Sequence, residues 1–200
     1  MFYSDKLSSK IVELAASNNN DIRKNTDVYV YLVNYILEQV IFFVTMIILG
    51  LILHNVLFSL LFFLIFFTYR STGGGYHASI PFLCTIISYT AFFAACIFCF
   101  KFEISKSKLT LAAYIFAIIF ILICPFSDCK NRRRTNSQKK SLKLKQIIFI
   151  AIFSTLGFVF YYTDCFLYFK LIMISTYIIA VTQSIGVIQM WIDKGGSYDI

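Results

Sequence analysis

Charged residues are scarce in this 200-residue chain. They make up 14% of the sequence, whereas a soluble globular domain carries about 25%. Hydrophobic residues make up 59%. This balance excludes an ordinary soluble fold and predicts an integral membrane protein whose core lies within the bilayer. The longest polar stretches, 1–27 and a stretch near 127–145, are too short for a separate soluble domain.

Several other features are missing from the sequence. No repeat recurs at a fixed period, so the sequence gives no support to a solenoid or to an inverted-repeat transporter. The first residues lack the apolar core and cleavage site of a secretory signal peptide, and we expect no cleaved leader. The six cysteines form no disulfide framework. Cys96 and Cys99 form a C-x-x-C pair with apolar flanks, which we interpret as packing residues because polar partners for a metal or redox site are lacking.

Six apolar segments account for most of the chain, and the second of them is short for a spanning helix. They cover approximately 34–53, 55–69, 80–100, 109–126, 146–162 and 166–191. The predicted fold class is therefore all-α: a polytopic transmembrane protein with about six membrane segments and a short N-terminal amphipathic helix. We predict one membrane domain over 1–200, with a cytosolic N-terminal segment at 1–27, membrane segments within 34–191 and a basic cytosolic loop at 127–145.

The N-terminal segment contains an amphipathic pattern. Leu7, Ile11 and Leu14 recur at helical spacing within 4–16. We expect a short helix that lies on the inner membrane surface. A helix that packs against the cytosolic ends of the other helices is the alternative, and the sequence leaves both open.

The net charge of +8 predicts an orientation in the membrane. In a soluble protein such a charge would point to nucleic acid, but here the basic residues lie between apolar segments, and we expect no nucleic-acid partner. With six spans and a cytosolic N-terminus, every Lys and Arg falls on the cytosolic side except Lys101, Lys106, Lys108 and Lys170. The positive-inside rule therefore predicts that both termini, and the connection at 70–80, are cytosolic.

The stretch RSTGGGYHASIPFLC at 70–84 combines the residue types of a nucleophilic site. Pro81 is tolerated in the first turn of a helix, which places Cys84 near the start of the third segment. His77 precedes that helix, after three glycines at 73–75 that allow the chain to fold back. A nearby imidazole and a helix N-terminus favour the reactive thiolate. The alternative is a tight connection with a satisfied histidine and a packing cysteine.

This stretch resembles the AgrB family (accessory gene regulator protein B), membrane-embedded cysteine endopeptidases of Gram-positive bacteria. The family pattern matches Arg70, Gly74, Gly75, His77 and Cys84. The amphipathic N-terminus, a polar lead into the first segment, and a proline followed by a basic loop (CPFSDCKNRRR) extend the resemblance over most of the chain.

The resemblance implies a reaction and a partner. AgrB-like proteins process a ribosomally made precursor, AgrD, into a cyclic quorum-sensing peptide, and so take part in virulence regulation. Cys84 would attack a peptide carbonyl near the C-terminal end of the precursor, and His77 would act as general base. An internal Cys or Ser of the peptide would then attack the thioester on Cys84, closing a thiolactone or lactone. The resemblance implies no metal and no cofactor.

A third member of the site is not fixed by the family pattern. Glu38 is the only acidic residue inside the six apolar segments, and an ionisable residue in a span is a functional candidate. It would orient His77 or pair with Arg70. The alternative is that Glu38 reaches the headgroup region. Gly75 and Arg70 are the other supporting candidates.

The basic loop admits two interpretations. Its cluster Arg132, Arg133 and Arg134 is explained by the positive-inside rule and by binding of anionic lipid headgroups. We also expect it to steer the acidic C-terminal part of the precursor toward the site.

Two other classes compete with the peptidase. A non-enzymatic polytopic protein, such as a small peptide exporter or adaptor, would share the membrane segments but need neither His77 nor Cys84. An ion channel fits less well, because no ring of charges lies within the segments. The oligomeric state is open, with a homodimer as one alternative.

Overall fold

The computed structural model describes residues 3–16, 26–72, 81–124, 135–163 and 165–195, except the side chains at 3–6, 31, 70–71, 81–84, 136, 190 and 193–195. These ranges form seven helices: α1 (Tyr3–Ala16), α2 (Thr26–Ile52), α3 (Val56–Thr72), α4 (Pro81–Lys101), α5 (Lys108–Ile123), α6 (Asn136–Tyr162) and α7 (Phe166–Gly195).

The all-α membrane class predicted from composition is confirmed. Each of the six apolar segments coincides with one of the helices α2 to α7. Three stretches are long and apolar enough to cross a membrane: Thr26–Ile52, Ser137–Tyr162 and Phe166–Gln189. The apolar stretches Val56–Tyr69, Thr85–Lys101 and Lys108–Ile123 are shorter. The number of spans, expected to be about six, stays a prediction.

Helix α6 begins earlier than the sequence indicated. The basic stretch 127–145 was expected as a loop, but the helix starts at Asn136. The cause is a capping box. The Thr135 hydroxyl accepts a hydrogen bond from the Gln138 N–H, and the Gln138 side chain accepts one from the Thr135 N–H. The lysines and leucines that follow are good helix formers, so the helix continues into the apolar segment.

The chain divides into two compact units, 1–60 and 61–200, and the prediction of a single domain stays a prediction. In the first unit, α1 packs against α2. Ser8 and Val12 lie one turn apart on α1 and are buried, whereas Leu7, Ile11 and Leu14 remain exposed. The amphipathic helix is confirmed, and it uses one face for packing while its most apolar face stays uncovered.

The turn between α2 and α3 is tightly built. His54 has a φ of 52°, in the left-handed region where a helix commonly ends. The Asn55 side chain then accepts a hydrogen bond from the Phe58 N–H at 3.0 Å and caps α3. A Cβ atom on Gly50 would lie 2.8 Å from the Val56 Cα, so this close approach requires a glycine.

In the second unit, α7 packs against α4, α5 and α6. Aromatic rings fill the space between these helices. Tyr114 of α5 and Tyr161 of α6 both meet Phe169 of α7 edge to face, with ring centroids 5.3 and 5.0 Å apart. The Tyr161 hydroxyl donates to the Ser107 carbonyl at 3.0 Å, and the Tyr177 hydroxyl donates to the Ala113 carbonyl at 2.8 Å. The hydroxyl groups of Tyr161 and Tyr177 therefore both have an acceptor.

Candidate functional site

The candidate residues at 70–84 fall largely outside the described part of the chain. Gly75, His77 and the arginines at 132–134 lie outside the described residues. Arg70 lies in α3 and Cys84 in α4, with their backbones described and their side chains not. The structure therefore fixes two helix positions, 70 and 84, and the predicted contacts of these side chains stay predictions.

The start of α4 agrees with the argument from proline. The helix begins at Pro81, so Cys84 belongs to its first turn. Position 84 lies one turn before Ser88 on the same side of the helix. Ser88 and, a turn further on, Phe92 are buried. The side of α4 to which position 84 belongs is therefore buried at the next two turns of the helix.

Helix α4 is anchored at the end opposite to Cys84. The Lys170 ammonium of α7 donates to the Cys99 carbonyl at 2.7 Å and to the Phe102 carbonyl at 3.3 Å. A cation on the last carbonyls of a helix satisfies groups that have no partner within the helix and opposes the negative end of its dipole. Because the fifth residue of α7 meets the end of α4, these two packed helices run antiparallel.

A ring contact joins α3 and α4, the two helices that flank residues 73–80. Phe62 of α3 and Phe92 of α4 meet edge to face with centroids 5.2 Å apart, and both are fully buried. This contact and the Lys170 anchor position the two helices from which the predicted site is built.

Glu38 lies in α2, within the first unit, and its side chain is half-buried. Its suggested role beside His77 or Arg70 stays a prediction, because neither of those side chains is among those described.

A second polar feature was missed by the sequence argument. Gln146 of α6 and Gln183 of α7 are 0% and 2% exposed, and the Gln146 Nε2 donates to the Gln183 Oε1 at 3.1 Å. The Gln183 Nε2 in turn donates to the Cys124 carbonyl at 3.3 Å, at the end of α5. The sequence signal is that Gln183 interrupts an apolar segment and Gln146 begins one, whereas the prediction for polar residues in the segments rested on the acidic Glu38.

Lys143 completes this polar cluster. Its ammonium donates to the Cys124 carbonyl at 3.1 Å and to the Ile121 carbonyl at 3.5 Å. Helix α5 ends at Ile123, and its last carbonyls therefore receive a cation from α6 and an amide from α7. We call Lys143, Gln146, Gln183 and the Cys124 carbonyl the inner polar cluster. It lies at the C-terminal end of α5 and about two to three turns into α6.

The helices define the chain as a helical membrane protein. Its sequence carries a histidine and a cysteine, His77 and Cys84, in the short stretch 70–84. The sequence model of the Accessory gene regulator B (AgrB) family matches residues 5–190. The chain belongs to the AgrB family, and the predicted resemblance is confirmed. No match was found among curated proteins or among solved structures.

Family membership assigns the chain a role in the accessory gene regulator quorum-sensing system. The AgrB family is associated with processing of the AgrD precursor peptide. The apolar helices agree with the membrane location of such a protein.

Proposed function

We propose that this protein is a membrane-embedded cysteine endopeptidase that removes the C-terminal part of an AgrD-like precursor and allows the remaining peptide to cyclise. The AgrB match over residues 5–190 carries this proposal, because it includes the whole Arg70–Cys84 pattern. The start of α4 at Pro81 supports it by putting Cys84 in a first helical turn, where the helix dipole favours a thiolate.

The reaction proceeds in two acyl transfers. His77 accepts the proton of the Cys84 thiol, and the sulfur attacks the carbonyl carbon of the scissile bond. The C–N bond breaks, the leaving amine takes the proton from the imidazolium, and the rest of the peptide is held as a thioester. An internal thiol or hydroxyl of the peptide then attacks that thioester, forming a thiolactone or lactone and releasing the Cys84 thiol. No metal or cofactor takes part.

The remaining site residues have supporting roles in the proposal. Arg70 and Gly75 shape the connection that carries His77, and Glu38 orients the imidazole or pairs with Arg70. The arginines at 132–134 attract the acidic C-terminal part of the precursor, which raises its rate of encounter.

The proposed topology puts both termini and the site on the cytosolic side of a multi-pass protein with one membrane domain. The exposed leucines and isoleucine of α1 then enter the inner leaflet, and its lysines meet anionic headgroups. A homodimer is compatible with this arrangement and is tested by cross-linking in the membrane.

The decisive experiment uses purified protein in liposomes with its AgrD-like precursor. Mass spectrometry follows wild type, Cys84→Ala and His77→Ala. Wild type should release a C-terminal fragment and form an acyl adduct on Cys84, and both variants should do neither. A peptide exporter or adaptor predicts the opposite: Cys84→Ala would keep full function, and no adduct would form in any sample.

A further inference from the structure

The donor and acceptor atoms of the buried glutamine pair are fixed by their neighbours. The Cys124 carbonyl only accepts, so the Gln183 atom that faces it at 3.3 Å is the amide nitrogen. The Gln183 oxygen therefore faces Gln146, which must present its own nitrogen, at 3.1 Å. This assignment makes the Gln146 Oε1 the last atom of the hydrogen-bonded series Cys124–Gln183–Gln146.

The Gln146 Oε1 is buried and has no hydrogen-bond partner among the described residues. A buried acceptor without a donor lowers stability, whereas two leucines in place of the pair would be neutral or stabilising. The described residues enclose this oxygen, so a donor from outside them reaches it only where α6 and α7 part locally.

The cluster lies at the same depth as the start of α4. Both α4 and α7 can be measured from their shared anchor at Lys170 and Cys99. At 1.5 Å per residue, position 84 is about 22 Å from that anchor along α4, and Gln183 is about 20 Å from it along α7. Packed helix axes are about 8–10 Å apart. From position 84 past α7 to Gln146 is two helix spacings, about 16–20 Å, which an extended peptide that advances about 3.3 Å per residue covers in about five or six residues.

We propose that Gln146 Oε1 accepts a hydrogen bond from a backbone N–H of the precursor peptide, about five or six residues from the scissile bond. The pair with Gln183 holds the amide in the orientation that presents its oxygen, and Gln183 is a positioning residue. The site recognises an extended peptide backbone, which supplies the donor that the described residues do not give this oxygen. This inference rests on the proposed function for the identity of the substrate.

The first test measures precursor binding without requiring cleavage. A fluorophore-labelled AgrD-like precursor is titrated into liposomes that contain the Cys84→Ala protein, with and without the double substitution Gln146→Leu/Gln183→Leu. Lys143 still donates to the Cys124 carbonyl in the double variant, so α5 keeps a cap. The Kd should rise about tenfold, as expected for one lost hydrogen bond, with thermal stability equal or higher. An unchanged Kd overturns the proposal.

Ser175→Ala is the matched control. Ser175 also lies on α7, and its buried Oγ also has no partner among the described residues. It lies about 12 Å further along the helix from Gln183, away from position 84. Its removal should leave the Kd unchanged, and a tenfold rise here would show that any buried change on α7 weakens binding.

A second test identifies the donor and does not depend on folding of the double variant. Esters replace the precursor amides one at a time near the cleavage position. One ester should raise the Kd of the Cys84→Ala protein about tenfold and that of the double variant less than twofold. Equal penalties in both proteins at every position overturn the proposal. Failure of the proposed chemistry would instead appear as absence of cleavage by the wild-type protein, which the binding measurements do not use.

Discussion

Substitution of Gly157 by alanine tests the packing of the second unit directly. Gly157 lies in α6 against Tyr114 of α5, and an added Cβ would lie 2.6 Å from the Tyr114 Oη and 3.0 Å from its Cζ. The ring has little room to retreat. It is 1% exposed, and it meets Phe158 and Phe169 edge to face at 6.0 and 5.3 Å. The added methyl group must therefore force the two helices apart.

Two opposing effects set the change in the free energy of unfolding that Gly157→Ala causes. Overpacking of this kind costs about 1–3 kcal/mol, and the upper part of that range applies because a rigid ring is trapped. Alanine in place of glycine within a helix contributes about 1 kcal/mol in the other direction. The net loss is about 2 kcal/mol, which lowers the Tm by about 4–8 °C for a chain of this length.

The assay is thermal unfolding of the purified protein in detergent. Tyr114→Phe removes the atom that the new Cβ meets first, at the cost of the long hydrogen bond to the Phe153 carbonyl and of the hydrogen bond with the Ser154 side chain. The double variant should therefore regain most of the lost Tm. Ala151→Gly, at an exposed position of the same helix, calibrates the propensity effect and should cost about 1 kcal/mol. A Gly157→Ala protein as stable as wild type, or a double variant less stable than either single one, would refute the reasoning.

Four further outcomes are expected. Gly50→Ala should lower the Tm more than Gly157→Ala does, because its Cβ would meet the Val56 backbone 2.8 Å away; a smaller loss would contradict this. His54→Gly should raise stability by about 1 kcal/mol, since φ is 52° there, and leave precursor cleavage unchanged; lost cleavage would place this histidine in the chemistry. Lys170→Met should lower the Tm and Lys170→Arg should keep most of it, whereas equal losses would mean that the charge on the α4 carbonyls is immaterial. Neutralising the arginines at 132–134 should raise the KM for precursor more at low salt than at high salt, and a salt-independent rise would refute steering.

Much of the fold follows from local features of the sequence. Long apolar runs require backbone hydrogen bonds within each segment, so the helices were predictable from composition and length. Pro81 marked the start of α4, since proline is accepted in a first turn. The start of α6 was misplaced because its lysines were interpreted as a loop. The signal Thr135-x-x-Gln138 was nevertheless present and predicts a capped helix.

Other features depend on tertiary register and were beyond the sequence. In the sequence Gln146 begins one apolar segment and Gln183 interrupts another, but their pairing depends on how α6 and α7 pack. The same holds for Lys170, whose acceptors lie on α4, far away along the chain. The proposed chemical site is the reverse case: His77 and Cys84 are predicted from spacing and from the family pattern alone, and their contact stays a prediction.

The length of α5 has a consequence for the surrounding lipid. Its 16 residues extend about 24 Å, whereas a typical hydrocarbon core is about 30 Å thick and the neighbouring α6 and α7 extend about 40 and 45 Å. As a span, α5 is therefore mismatched with the bilayer and with its own partners. In the proposed topology, where α5 is a span, we expect the bilayer to thin around the end whose carbonyls Lys143 and Gln183 hold. Lipids with longer chains should then oppose this thinning, and we expect their effect to be largest at the inner polar cluster rather than at the opposite end of the bundle.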